Sequence, residues 1–150
     1  STAKFASQIF LATALERAGS NIEALAEYRK VLEIDPNNSD GNLGLGVLLI
    51  KTEGNKSVEG LKVLKKSVEI NANLYEGQIT LGKTLIRLNQ VMEAIEHLQK
   101  AAELAPNNPE PHYQLAIAFR KLGRKADAEA ETEKVKKIHQ NRRGVARQKP

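Results

Sequence analysis

The sequence predicts an all-α protein made of four antiparallel helix–turn–helix units, and three observations predict it. One phrase recurs, as EIDPNNSDGNLGLG at 33–46, EINANLYEGQITLG at 69–82 and ELAPNNPEPHYQLA at 103–116. Small residues recur in the same register. Ala12, Gly46, Gly82 and Ala116 follow at steps of 34, 36 and 34, and Ala24, Gly60, Ala94 and Ala128 at steps of 36, 34 and 34. Ala, Leu, Glu and Lys are plentiful while aromatics are scarce (three Tyr, three Phe, no Trp), which favours helix over strand. A fixed period of this length marks stacked supersecondary units, none of which buries its apolar face alone.

The first unit, about residues 3–38, carries Ala12 on its first helix, turns at AGSN (18–21) and ends at Pro36. Proline lacks an amide hydrogen and disfavours helix in the residue before it. The second unit, 39–74, takes up the two extra residues in a longer turn, TEGNKS at 52–57, and ends at NAN with Ala72 in place of proline. The third, 75–108, shows apolar residues at helical spacing, Ile79, Leu81, Leu85, Ile86 and Leu88 before the turn LNQV (88–91), then Val91, Ala94, Ile95, Leu98 and Ala101. The fourth, 109–139, turns at LGRK (122–125). Glycine inside a helix costs about 1 kcal/mol relative to alanine, so Gly46 and Gly82 are expected to permit a close crossing, small residue facing small residue. Residues 1–139 are thus read as one repeat domain, and QNRRGVARQKP at 140–150, poor in apolar residues, as a flexible basic tail or linker.

These residues resemble the tetratricopeptide repeat, a helix–turn–helix unit of about 34 residues. The resemblance is carried by LATALERAG with EALAEYRKVLEIDP, by LGKTLIRLN with EAIEHLQKAAELAP, and by LAIAFRKLG with DAEAE. The second unit departs most, through its long turn, Gly60 and Ala72. The resemblance implies a right-handed superhelical solenoid whose concave groove is lined by the first helix of each unit. It places on that groove Arg17; Leu43, Gly44, Val47, Ile50 and Lys51; Ile79, Lys83, Ile86 and Arg87; and Tyr113, Ile117, Arg120 and Lys121.

Two patterns stand out among those residues. Arg17, Lys51, Arg87 and Lys121 each lie five residues after the small landmark, a basic ladder joined by Lys83 and Arg120. It fits capture of an acidic or carboxylate-bearing peptide, and equally fits solvated cations complementing helix dipoles. Leu43, Val47 and Ile50 with Ile79, Ile86, Tyr113 and Ile117 form an apolar strip, which fits an interface or a core stripe, because periodicity does not separate the two. Gly44, on the groove, offers space for close approach of a partner's backbone. The two-carboxylate clamp of the chaperone-tail binders in this family is absent: Ile9, Thr13, Gly44, Glu76 and Thr80 stand at its positions.

The expected function is therefore a non-catalytic scaffold whose groove binds a peptide or helix of a partner protein through apolar and basic contacts. Self-association, or a regulatory module of a larger protein, is the alternative reading, and nucleic-acid contact through the basic tail a second. The net charge of +5 is unevenly placed: seven of the 23 basic residues and none of the 18 acidic ones follow Glu133, which leaves the chain up to that point at −2. The tail has no aromatic for base stacking, which argues against nucleic acid as the partner. No enzyme chemistry is expected, since no nucleophile motif or convergent acid pair is visible. No cofactor or metal is expected either: there is no cysteine, and His97, His112 and His139 stand apart from other ligands. GNLGLG at 41–46 lacks the strand and the Lys-Ser or Lys-Thr of a phosphate loop. No apolar run is long enough for membrane insertion, and without a signal segment the reading leans to the cytoplasm; the chain opens on Ser, as a piece of a longer protein would.

Overall fold

A computed structural model describes residues 2–148; Ser1 of the expected repeat domain and Lys149 and Pro150 of the expected tail lie outside the described residues. Eight α-helices and no strand occur among the described residues: α1 (Thr2–Arg17), α2 (Asn21–Ile34), α3 (Ser39–Glu53), α4 (Val58–Ile70), α5 (Tyr75–Arg87), α6 (Val91–Leu104), α7 (Glu110–Lys121) and α8 (Lys125–Gln148). One turn of 3-10 helix, Gly54–Lys56, fills the long turn of the second pair. The chain divides into two compact units, one up to Leu81 and one from Gly82.

Each hairpin turn is marked by a residue of positive φ: Gly19 (81°), Gly54 (79°), Asn89 (60°) and Gly123 (72°). Three are glycine, and the fourth is asparagine, a side chain that tolerates the left-handed region. In three turns the chain closes back on the helix it leaves, by Ser20 N–H to Leu15 C=O (2.9 Å), Gln90 N–H to Leu85 C=O (2.8 Å) and Arg124 N–H to Phe119 C=O (2.9 Å). These bonds satisfy carbonyls that a helix end would leave bare.

The seams between hairpins also have a local cause. α2 stops before Pro36, yet α4 stops at Ile70 although Ala72 stands where proline is expected. The shared device is an Asx turn: Asp35 Oδ1 accepts from Asn37 N–H (3.2 Å) and Asn71 Oδ1 from Asn73 N–H (3.0 Å). The next helix reaches back to the seam, Asn42 Nδ2 donating to the carbonyls of Pro36 (3.0 Å) and Asn38 (2.8 Å), and Gln78 Nε2 to that of Ala72 (2.9 Å). Asn38 and Ser57 cap α3 and α4 through the amides of Gly41 and Gly60.

In the first unit the core gathers Ala12, Ala24, Tyr28, Leu45, Leu48 and Leu49, with Ile9, Leu15, Leu25, Leu32 and Val63 packed on it. The close crossing expected at the small landmarks is present, with a leucine of the second helix filling it. A Cβ on Gly46 would lie 2.9 Å from Leu64 Cβ and 3.0 Å from Leu64 N, and one on Gly60 would lie 3.0 Å from Leu49 Cβ. Each glycine therefore receives a leucine from the opposite helix, which fills space better than two small residues would. The second unit repeats the device, a Cβ on Gly82 meeting Leu98 at 2.6 Å and, at 3.5 Å, the Ala94 carbonyl; its interior holds Leu85, Ala94, Leu98, Leu115, Ala118 and Phe119.

Within the segment expected as a flexible tail or linker, residues 140–148 are helical: α8 runs unbroken to Gln148. Two causes are visible. Residues 134–148 are mostly good helix formers (Lys, Arg, Gln, Ala), and Arg142 Nη2 donates to the carbonyl of Asn107 (2.6 Å), which ties the far part of the helix to the loop before α7. Nearer its start α8 is held by a largely buried carboxylate, Glu131, whose oxygens meet His112 Nδ1 (2.6 Å) and Lys134 Nζ (2.9 Å).

Candidate interaction site

The first unit contains a cavity of about 310 Å³ lined by α1 (Ile9, Thr13, Glu16, Arg17), α2 (Tyr28), α3 (Asp40, Leu43, Gly44, Val47) and the start of α5 (Glu76). Helical spacing explains the wall: residues 9, 13 and 16 share one side of α1, and 40, 43, 44 and 47 one side of α3. At its base lies Tyr28, 3% exposed. Thr13 Oγ1 lies 2.9 Å from the Ile9 carbonyl, to which it donates, and 3.3 Å from the Tyr28 hydroxyl. Burial raises Tyr28 above the ordinary phenol range; the Thr13 hydrogen bond opposes this, and the nearby carboxylates of Glu16 and Glu76 reinforce it. The cavity thus presents a neutral phenol, a hydroxyl, an apolar side (Ile9, Leu43, Val47) and three carboxylates against one guanidinium.

Arg17, Leu43, Gly44 and Val47, expected on the groove, come together here. Gly44 does so for a different reason than expected. A Cβ at that position would sit 2.2 Å from Tyr28 Cε1, so the space is filled by the protein's own ring rather than left for a partner's backbone. Ile50, Ile79 and Ile86 are corrected outright as contact residues: they are 7%, 8% and 6% exposed and belong to the interior. Their spacing matched both a groove stripe and a core stripe, and packing chose the core.

Among the basic ladder residues, two lie beside carboxylates and one turns to α8. Lys51 Nζ lies 3.6 Å from the Glu16 carboxylate, and in the second unit Lys83 Nζ lies 3.3 Å from that of Glu110, which also accepts from Gln114 Nε2 (2.9 Å). Arg120 turns to α8, donating to Thr132 Oγ1 (3.1 Å). Arg17, Arg87 and Lys121 are exposed, as is Tyr113, with Ile117 half-buried one turn further along α7. The positive bias expected of the first-helix face is therefore not what the cavity carries. No periodic signal brings Tyr28, Glu16, Asp40 and Glu76 together, because they come from four helices.

Among the described residues no group of His, Asp and Glu side chains could hold a metal ion, and no helix is long and apolar enough to cross a membrane.

Comparison with known proteins agrees with this architecture. The family model described as "TPR repeat" matches residues 82–123, and that described as "Tetratricopeptide repeat" matches residues 6–38. Among curated proteins none matches. Solved structures do. A crystal structure of MamA is similar with a TM-score of 0.76 at 26% identity, covering 85% of this chain and 73% of that one. MamA from Desulfovibrio magneticus RS-1, residue 41 to the end, is similar in fold with a TM-score of 0.77 at 24% identity, covering 89% and 75%. A further MamA crystal structure reaches a TM-score of 0.80 at 14% identity over 91% of this chain and 74% of that one, a likeness of fold alone.

Proposed function

The chain belongs to the tetratricopeptide repeat family and is, at that level, a protein-interaction scaffold; from that premise we propose that it seats a peptide segment of a partner protein, without chemistry of its own, on the cavity of the first unit. The observation that carries this reading is the cavity itself: a concave site joining an apolar side to a few convergent polar groups is what recognition of a side chain needs. Leu43 and Val47 supply apolar contact, and Arg17, Glu16, Asp40 and Glu76 orient the ligand by charge. In the second unit Lys83, Arg87, Tyr113, Ile117 and Lys121 are the proposed contacts, with Arg120 as a tie to α8.

The test is selection of binders from a random peptide library on the purified chain, with affinities then measured by fluorescence anisotropy. Leu43→Ser with Val47→Ser should weaken selected peptides about tenfold, the loss of roughly 1.4 kcal/mol of apolar contact. Peptides that bind the double variant as well as the wild type would place the contact elsewhere.

Self-association is the second reading, and one observation favours it. On α1, Phe10 is 76% exposed and Leu11 46%, beside the exposed Ala6 and Ala14. An apolar helix face of this kind is the usual mark of an interface. Sedimentation velocity should then show mass rising with concentration, and Phe10→Ser should return the chain to monomer. A constant monomer mass over the micromolar range would dispose of this reading.

A further inference from the structure

The far part of α8 has no role in the interaction site just described, and its geometry is unusual for a solvated end. From Lys134 to Gln148 there is no acidic residue, against six Lys and Arg. At about 100° per residue, Lys136, His139, Gln140, Arg143 and Arg147 fall on one face, roughly 16 Å long at about 1.5 Å per residue. Ile138 and Val145 fall on the opposite face, where with Asn107, Asn141 and Arg142 they line a cleft of about 290 Å³ against the loop before α7. The Arg142 bond to the Asn107 carbonyl holds that orientation, so the cationic face points away from the second unit's own surface.

We propose that this face of α8 is a contact surface for the phosphate backbone of duplex nucleic acid, independent of base sequence. Three features select that partner. Lys136, Arg143 and Arg147, roughly 10 and 6 Å apart along the axis, form a row of cations that can meet phosphates spaced along one strand of a polymer with one phosphate per roughly 3.4 Å. The cationic face carries no large apolar side chain, and the opposite face offers only a half-buried Ile138 and Val145, 58% exposed, so the helix lacks the apolar stripe that an amphipathic helix needs to settle into a bilayer. It also has no aromatic, so single strands find no stacking platform, whereas a duplex backbone requires none. Lys136 already pairs with Glu133 at 3.0 Å and exchanges that partner for phosphate; Arg143 and Arg147 are exposed.

The experiment is fluorescence anisotropy with a labelled duplex of arbitrary sequence, about 20 base pairs long, titrated with the whole chain at salt concentrations from about 50 to 200 mM. Micromolar binding is expected at the low end, with a log–log salt slope of about −2 to −3 for the two to three phosphates neutralised. Lys136→Gln/Arg143→Gln/Arg147→Gln should flatten the slope by two to three and weaken binding at least tenfold, with helix content unchanged by circular dichroism. Lys30→Gln/Lys56→Gln/Lys62→Gln, an equal change of charge in the first unit, should leave binding within about twofold, since surface cations away from the contact are screened. Equal loss in the two triples would reduce the effect to bulk charge and overturn the proposal. So would preference for a single strand, or binding to vesicles of mixed phosphatidylcholine and phosphatidylserine with none to the duplex.

Discussion

Gly46→Val is expected to lower the stability of the first unit by about 3 kcal/mol and its Tm by roughly 10 °C. The atoms in the way are the neighbouring helix itself: a Cβ would stand 2.9 Å from Leu64 Cβ, 3.0 Å from its backbone nitrogen and 3.1 Å from its Cα. A flexible side-chain tip could swing aside, but backbone can yield only if α3 and α4 separate, and that would loosen Leu48, Leu49 and Leu64, all fully buried. The better helix propensity of valine recovers only a few tenths of that loss. Urea unfolding followed by circular dichroism is the measurement. A variant as stable as the wild type would mean that the crossing is looser than these distances require.

Glu131→Ala should cost about 3 kcal/mol in the second unit. The carboxylate is 8% exposed and serves two partners at once, His112 on α7 and Lys134 on α8, so its loss strips a largely buried imidazole of its partner and opens a small void between the helices. Glu131→Gln, which keeps the shape and one acceptor, should lose about half as much. As a reference, Lys136→Ala breaks a pair whose side chains are both 61% exposed, and its effect on stability should stay within about 0.5 kcal/mol. Hydrogen exchange adds a local readout, because amides of α8 should lose protection before those of α6. Equal effects of Glu131→Ala and Lys136→Ala would show that the carboxylate does not lock α8 to α7.

Much of the architecture is legible in the sequence because it rests on local rules. Gly19, Gly54 and Gly123 announce their turns, and Asn89 holds the same left-handed position where glycine is missing. Ala72 looks like a deviation where proline is expected, but the stop at Ile70 comes from the side chain of Asn71, a signal that is itself in the sequence. The tail misleads for a different reason. Low apolar content argues against independent packing, yet one guanidinium bonded to one carbonyl, 35 residues apart in the chain, accompanies a helix continued to Gln148.

The candidate site is less legible. Ile50, Ile79 and Ile86 share the spacing of Leu43 and Val47, and nothing along the chain says which of them faces outward. Gly44 and Tyr28 stand on different helices with no common period, and their contact exists only once α2 lies against α3.

The sequence by itself determined that the chain is helical, where its hairpins turn and how often the unit repeats, since these depend on dihedral preference and apolar period, both local properties. Tertiary packing decided which apolar residues are interior, which lysines are already paired, and that a buried phenol and three carboxylates meet in one cavity. Those outcomes depend on side chains from different helices competing for the same space and charge, and such competition has no expression until the helices are in contact.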